Sequence, residues 1–271
     1  MSRRRISVHP TAVVEEGAVL GDNVTIGPFS IVGPRVRIGD DAVLHSHVVV
    51  TGNTTVGRNA RIYPFATIGH PGQDLKYHDD ASGRIEIGDN ALIREHATVN
   101  PGTPGGRGVT RMGNDCVLLI GAHVAHDCVV GDHVVLINNV MLGGHCVIGD
   151  HVIIGGGTGI HQYVRVGEHA FVGGISAVVD DVIPFGSAFG NRAVLGGLNI
   201  VGMKRRGFER EQIHALRRAY RLLFSNEGTL AERVEDLARM FGQDPLVGRV
   251  IAFIRAGSDR PLCTPKNGRE G

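Results

Sequence analysis

From Val8 onward every sixth residue is aliphatic: Val8, Val14, Leu20, Ile26, Val32, Ile38, Leu44, Val50, Val56, Ile62 and Ile68. The series resumes in a new phase at Ile87, Ile93 and Val99, and in a third from Met112 and Leu118 through Val172 and Val178. A six-residue period sustained this long fits neither an amphipathic helix nor an ordinary strand, and it is the signature of a parallel β-helix. Each hexad supplies one short strand and one corner, with the aliphatic side chain turned inward. Three hexads close a triangular coil, and successive coils stack at the usual strand separation of roughly 4.8 Å. The residue four places after each aliphatic is small or β-branched, as at Ala12, Ala18, Val24 and Ser30, which suits a narrow interior. Cys116, Cys128 and Cys146 fall in that slot and read as buried fillers rather than nucleophiles. Glycine often follows the aliphatic, as at Gly21, Gly39 and Gly57, and is expected to take corner conformations that a Cβ would resist. The period does not set the hand of the coil, and the general crossover preference favours a right-handed one.

The register breaks at roughly 70–84 and again at roughly 100–111. A solenoid expels extra residues as surface loops, where binding groups collect. After Val178 the pattern turns helical. Ile213, Leu216, Tyr220, Leu223 and Phe224 share one helical face, Thr229 and Glu232 form a capping box, and Asp244-Pro245 opens a further helix. The expected organisation is a β-helix over 1–190, a helical domain over 191–258 and a disordered tail over 259–271. A formal net charge of +1 argues against a nucleic-acid binder. The four cysteines form no CxxC pair, which argues against a zinc knuckle and suits a reducing compartment. The basic N-terminus is followed by no apolar stretch, so it does not read as a signal peptide. No stretch approaches the ~18 apolar residues of a membrane span, so a cytoplasmic protein without membrane insertion is expected.

Phosphate-loop, dinucleotide and nucleophile-elbow motifs are absent, and histidine is the chemistry that remains, with 14 in the chain. His133, His151 and His169 recur every eighteen residues and should form a ladder on one edge. As a metal site it lacks converging ligands, so the ladder reads as turn residues facing water, and no metal is expected. His45 and His47 show no partner in the sequence. His123, His126 and Asp127 lie together, while Gly143, Gly144 and His145 fall one coil on, and His161 and Gln162 a further coil on. Imidazole is suited to moving a proton at neutral pH, and exposed glycine N–H groups can hold an oxyanion. By spacing alone, this edge suits a catalytic site and a satisfied surface cluster equally.

The segments Val8–Ala18, Ile26–Pro34, Gln73–Tyr77 (QDLKY), Ala122–Cys128 (AHVAHDC), Gly143–Asp150, Ile160–Gly167 and Asn199–Phe208 resemble the UDP-N-acetylglucosamine O-acyltransferase family over nearly the whole chain. The resemblance implies a left-handed β-helix, a homotrimer with sites between subunits, and transfer of a 3-hydroxyacyl group to the sugar 3-hydroxyl in the first step of lipid A biosynthesis. The donor chain would ride on the phosphopantetheine of acyl carrier protein, with no other cofactor. By residue, it implies His126 as general base, Asp127 as its acidic partner and Gly144 as oxyanion donor. It implies substrate contacts at Gln73, Asp74, Lys76, His123, His145, His161 and Gln162, and nucleotide contacts at Asn199, Arg205 and Arg206. Gly174 and Phe171 fall where acyl length is set, and Val201 stands where the family often has an acidic residue. The basic stretch from Lys204 to Arg221 would meet the acidic carrier, or serve only as a solvated helix face. Rival readings are the sister N-acyltransferase with its extra N-terminal domain, a γ-type carbonic anhydrase and a non-enzymatic scaffold. Acyl length, and a 2-amino against a 2,3-diamino sugar, stay open.

Overall fold

A computed structural model describes residues 6–73 and 83–266. Mostly two-residue strands, from Ser7–Val8 to Phe171–Val172 on the first face, line three flat parallel faces. Ser7 pairs with Thr25, Val13 with Ile31 and Val19 with Arg37, so a coil without an insertion closes after eighteen residues. The chain is a left-handed parallel β-helix followed by a few helices, so the general right-handed preference does not hold here. That preference arises where a twisted strand feeds a helical crossover, whereas here neighbouring strands of a face are connected through two further short strands on the other faces.

The aliphatic of each hexad and its small partner form one continuous interior, from Val24 and Ile26 to Val172 and Val178. Polar residues enter this interior only with a partner. Ser30 Oγ donates to the His45 carbonyl at 2.7 Å, and the thiols of Cys116, Cys128 and Cys146 each donate to a carbonyl fifteen residues on, at 3.1 Å. Burial pushes the Cys116 thiol up to about 11 and Cys128 well above its ordinary range, so neither is a nucleophile near neutrality.

The role expected of the corner glycines is corrected. The left-handed corner positions are mostly filled by Asn, Asp, His and Phe, for example Asn23, Asp41, His47 and Phe65. The glycine after the aliphatic serves close approach instead: a Cβ on Gly57 would lie 2.4 Å from the Gly88 carbonyl carbon of the next coil. Corner side chains therefore stack in columns. His47 lies between Phe29 and Phe65, each at 5.0 Å, and His45 rests on Tyr63 at 4.4 Å, so both have partners that the sequence did not reveal.

Both insertions leave the same corner, between the second and third faces. Thr67 pairs with Thr98 across the first and Thr98 with His123 across the second. The chain re-enters the third face at Arg84 and at Val109, slightly before the expected loop ends. A hairpin of Gly186–Phe189 and Val194–Leu198 closes the solenoid. Among the described residues four helices follow: α1 (Ile200–Arg205), α2 (Arg210–Leu223), α3 (Leu230–Phe241) and α4 (Pro245–Arg255). The Thr229–Glu232 capping box and the Asp244 N-cap form as expected. Over its described residues, 259–266, the tail departs from expectation. Asp181 donates its N–H to the Pro261 carbonyl and accepts from Cys263, both at 2.8 Å, and Cys263 is buried. Leu195 N–H also donates to the Thr264 carbonyl at 3.0 Å, and an apolar plug with three backbone bonds offsets the ordering cost that a free terminus avoids.

Candidate active site

The corner that expels both loops carries His126, Asp127, Gly144, His145, His161, Gln162 and Tyr163 on three successive coils. Asp127 takes the left-handed corner conformation (φ 59) and is fully buried. Its carboxylate accepts from the Thr103 hydroxyl at 2.6 Å, the Thr103 N–H at 3.1 Å and the Gly108 N–H at 3.0 Å. Burial alone would raise its pKa, but the Thr103 hydroxyl, His126, the Thr103 N–H and the charge of His145 outweigh it and hold the group below the usual carboxylate range.

His126 is buried, with Nδ1 2.9 Å from Asp127 Oδ2. An ionised carboxylate only accepts, so Nδ1 carries the ring proton and Nε2 keeps a basic lone pair. That nitrogen faces Gly144: a Cβ on Gly144 would lie 2.5 Å from Nε2, so glycine keeps the space in front of the base open. Among the described residues nothing accepts the Gly144 N–H, whereas at the neighbouring corner the Asn114 and Asp132 amides are taken by aspartates of the next coil. His145 packs edge-on to His126 at 4.9 Å and stacks on Tyr163 at 4.4 Å. His123 Nδ1 lies 2.7 Å from the Thr98 hydroxyl, and burial, with the neighbouring His126, holds its pKa down.

A cleft of about 1040 Å³ on the second face is lined by Gln73, His123, His126, Gly144, His161 and Gln162, with Met141, Gly159 and Ala177 forming its apolar floor. Asp127 and His145 stand behind it. Asp74 and Lys76 lie outside the described residues; Gln73, just before them, reaches the cleft. Arg205, Arg206, Asn199, Val201 and Phe171 line a different cavity of about 540 Å³, beneath α1 on the first face. The Asn199 side chain is already spent there, capping α1 through Gly202 N–H at 3.0 Å and donating to the His169 carbonyl at 2.9 Å. Arg206 donates to the His151 carbonyl at 2.7 Å and keeps one buried nitrogen without a partner. Gly174 sits at the corner between the first and second faces, over Gly156, and lines neither cavity. Arg210, Arg217, Arg218 and Arg221 form an exposed basic face on α2.

His126, Asp127 and His145 offer three possible metal ligands within 4.8 Å of one another. The Asp127 oxygens already accept four donations, and a metal would have to displace them, so the donor set fits a hydrogen-bonded dyad better than zinc. The ladder of His133, His151 and His169 is real, with rings 4.6 Å apart, but its top does not face water. His169 is buried against Phe185 and Phe208, and burial above all, then His151 and Arg206, pushes its pKa down to about 4. Sequence reasoning missed Thr103, Arg107, Gly108 and Thr110. Arg107 donates to the carbonyls of Asp127 at 2.6 Å and His145 at 3.2 Å, bracing two coils together. The position of the second insertion, one coil before the histidine cluster, was the available signal.

A family model described as UDP N-acetylglucosamine O-acyltransferase, domain 2, matches residues 181–263, and bacterial transferase hexapeptide models match 17–52 and 35–70. The acyl-[acyl-carrier-protein]–UDP-N-acetylglucosamine O-acyltransferase of Azorhizobium caulinodans is 51% identical over 261 residues, 96% of each chain. That of Caulobacter vibrioides is 49% identical over 96% of this chain and 99% of its own. The solved UDP-N-acetylglucosamine O-acyltransferase of Moraxella catarrhalis superposes with a TM-score of 0.91 at 44% identity, covering 94% of this chain and 98% of that one.

Proposed function

This chain belongs to the UDP-N-acetylglucosamine O-acyltransferase family, and from that premise we propose that it moves a 3-hydroxyacyl group from acyl carrier protein to the 3-hydroxyl of UDP-N-acetylglucosamine, in the first step of lipid A biosynthesis. The observation that carries the mechanism is His126 Nδ1 at 2.9 Å from the buried Asp127 carboxylate, which draws the ring proton to Nδ1 and turns the lone pair of Nε2 towards the open Cα of Gly144. His126 Nε2 takes the proton of the sugar hydroxyl as that oxygen attacks the thioester carbonyl. The tetrahedral oxyanion receives the Gly144 N–H, and Asp127 balances the imidazolium. Collapse breaks the carbon–sulfur bond, and the departing thiolate takes the proton back from His126. No cofactor is needed beyond the phosphopantetheine thiol of the carrier, and the reaction would be cytoplasmic.

Within one chain the base and the Arg205–Arg206 cavity lie on different faces, so a single copy cannot offer both to one sugar nucleotide. A homotrimer would bring the cavity of one chain to the cleft of its neighbour. Exposed Phe65 and Met141, each about half accessible, fit such an interface. Asp74, Lys76, His123, His145 and His161 would then contact the sugar, and Gln162, Asn199, Arg205 and Arg206 the nucleotide. Phe171 and Gly174 would limit acyl length, with the bulk of Phe171 favouring a short chain. The basic face of α2 would receive the acidic carrier.

Mass spectrometry of the product from UDP-N-acetylglucosamine and a panel of acyl carriers tests the reading. One 3-hydroxyacyl ester, released by mild base, is expected. A base-stable amide, or no product with any carrier, would overturn it.

A further inference from the structure

We propose that Arg260 is a positioning residue that sets the ring tautomer of His161, so that His161 presents an N–H donor rather than a lone pair to the cleft. What that donor meets rests on the function proposed above; the tautomer does not. Arg260 reaches the cleft because the chain after α4 folds back. Asp181 pairs with Pro261 and Cys263, Leu195 donates to the Thr264 carbonyl at 3.0 Å, and Arg260 N–H donates to Ser258 Oγ at 3.1 Å. These contacts hold a guanidinium, ninety-eight residues away in sequence, over the third coil of the site.

There the guanidinium uses both prongs. Its Nε donates to the Gln162 carbonyl at 3.0 Å, and its Nη2 lies 2.6 Å from His161 Nδ1. A guanidinium has donors only, so Nδ1 must offer its lone pair and the ring proton must sit on Nε2. The local chain favours the reverse. The Gln162 carbonyl lies 3.2 Å from the same Nδ1, and a carbonyl only accepts. Without Arg260 it would draw the ring proton to Nδ1 and leave a lone pair on Nε2. With Arg260 in place that carbonyl is occupied and the tautomer is reversed. Among the described residues Nε2 of His161 has no partner, and the ring lines the cleft. An N–H donor there suits a hydroxyl, carbonyl or phosphoryl oxygen of the substrate. It also leaves His126 as the imidazole whose lone pair serves as base.

The test reads ring nitrogens directly. In the free protein carrying 15N-labelled histidine, at a pH where the rings are neutral, a His161→Gln variant assigns the His161 signals. The wild type should show an unprotonated Nδ1 and a protonated Nε2. Arg260→Met should reverse the pair, and Arg260→Lys, which keeps a cationic N–H donor, should restore it. In the transfer assay Arg260→Met should lower kcat/KM roughly ten- to a hundredfold, the scale of one lost hydrogen bond to a charged group, with Lys recovering part of the loss. A proton on Nδ1 in the wild type, or an unchanged tautomer in Arg260→Met, would overturn the proposal. Because the tautomer is read without substrate, a failed product assay beside the expected spectra would remove the functional reading and leave the clamp standing.

Discussion

Two of the histidine-bearing columns on this molecule make a contrast, because only one of them sets an imidazole against a buried carboxylate. His133, His151 and His169 form one at the corner between the third and first faces; His126 and His145 begin the other, continued by Tyr163, at the corner between the second and third. In the first column the rings lie parallel and the top ring is capped by Phe185 and Phe208. No inserted loop interrupts that corner. In the second, both insertions leave just below, and the loop carrying Thr103 and Gly108 delivers donors to Asp127. The regular stack satisfies its own geometry and offers no base beside a buried carboxylate. Interrupting the stack creates a polar pocket, and the extra residues supply the groups that make it asymmetric. In this solenoid the repeat supplies the scaffold, and its defects supply the chemistry.

The comparison can be broken first at the base. His126→Ala should lower acyl transfer by at least about 10²–10⁴-fold while His133→Ala, one ring of the inert column, stays within a fewfold of wild type. Product assays on both, with circular dichroism to confirm folding, decide it; comparable losses would mean that the columns do not differ as described. Glycine sharpens the contrast. Gly144→Ala keeps the backbone N–H but places a methyl 2.5 Å from His126 Nε2, and should cost roughly 10²-fold in kcat with little change in melting temperature, the scale of a displaced catalytic group. Gly149→Ala, at the ladder corner, would push a methyl to 2.5 Å from the Glu168 backbone nitrogen. It should cost roughly 1–3 kcal/mol of stability and leave kcat of the folded enzyme unchanged.

A further contrast lies in pH. His169 binds its proton only near pH 4 in the folded chain against 6.5 in a model peptide, so the unfolded chain binds more protons between those values. The stability from keeping it neutral is fully present above about pH 6.5 and is lost as the pH falls towards 4, up to about 3 kcal/mol. Its Nδ1 is buried without a partner, so His169→Phe, which extends the stack begun by Phe185, should flatten melting temperature against pH across that window. An unchanged slope would show that the capped ladder is not the group that titrates.

Much of this was legible beforehand. The period alone assigns Val124 and Cys128 to the interior and sets His126 and His145 at one corner, because neighbouring coils are joined by short corners of constant length. The same logic exposed the limits of the reading. Gly57 was given the wrong reason, since a repeat shows that glycine is needed but not whether φ or the facing coil demands it. His47 seemed unpartnered because its neighbours Phe29 and Phe65 are eighteen residues away on either side.

The sequence by itself determined the coil and the corner that gathers His126 and His145, because those follow from contacts repeated at a constant spacing, while His126 as the base came from the resemblance. Only the tertiary structure decided that Thr103 feeds Asp127, that Arg260 reaches His161, and that the Arg206 cavity opens on another face from the base. Those contacts join loops and tail across separations that no period encodes. Their formation depends on which corner the chain leaves and where the folded solenoid lets it return.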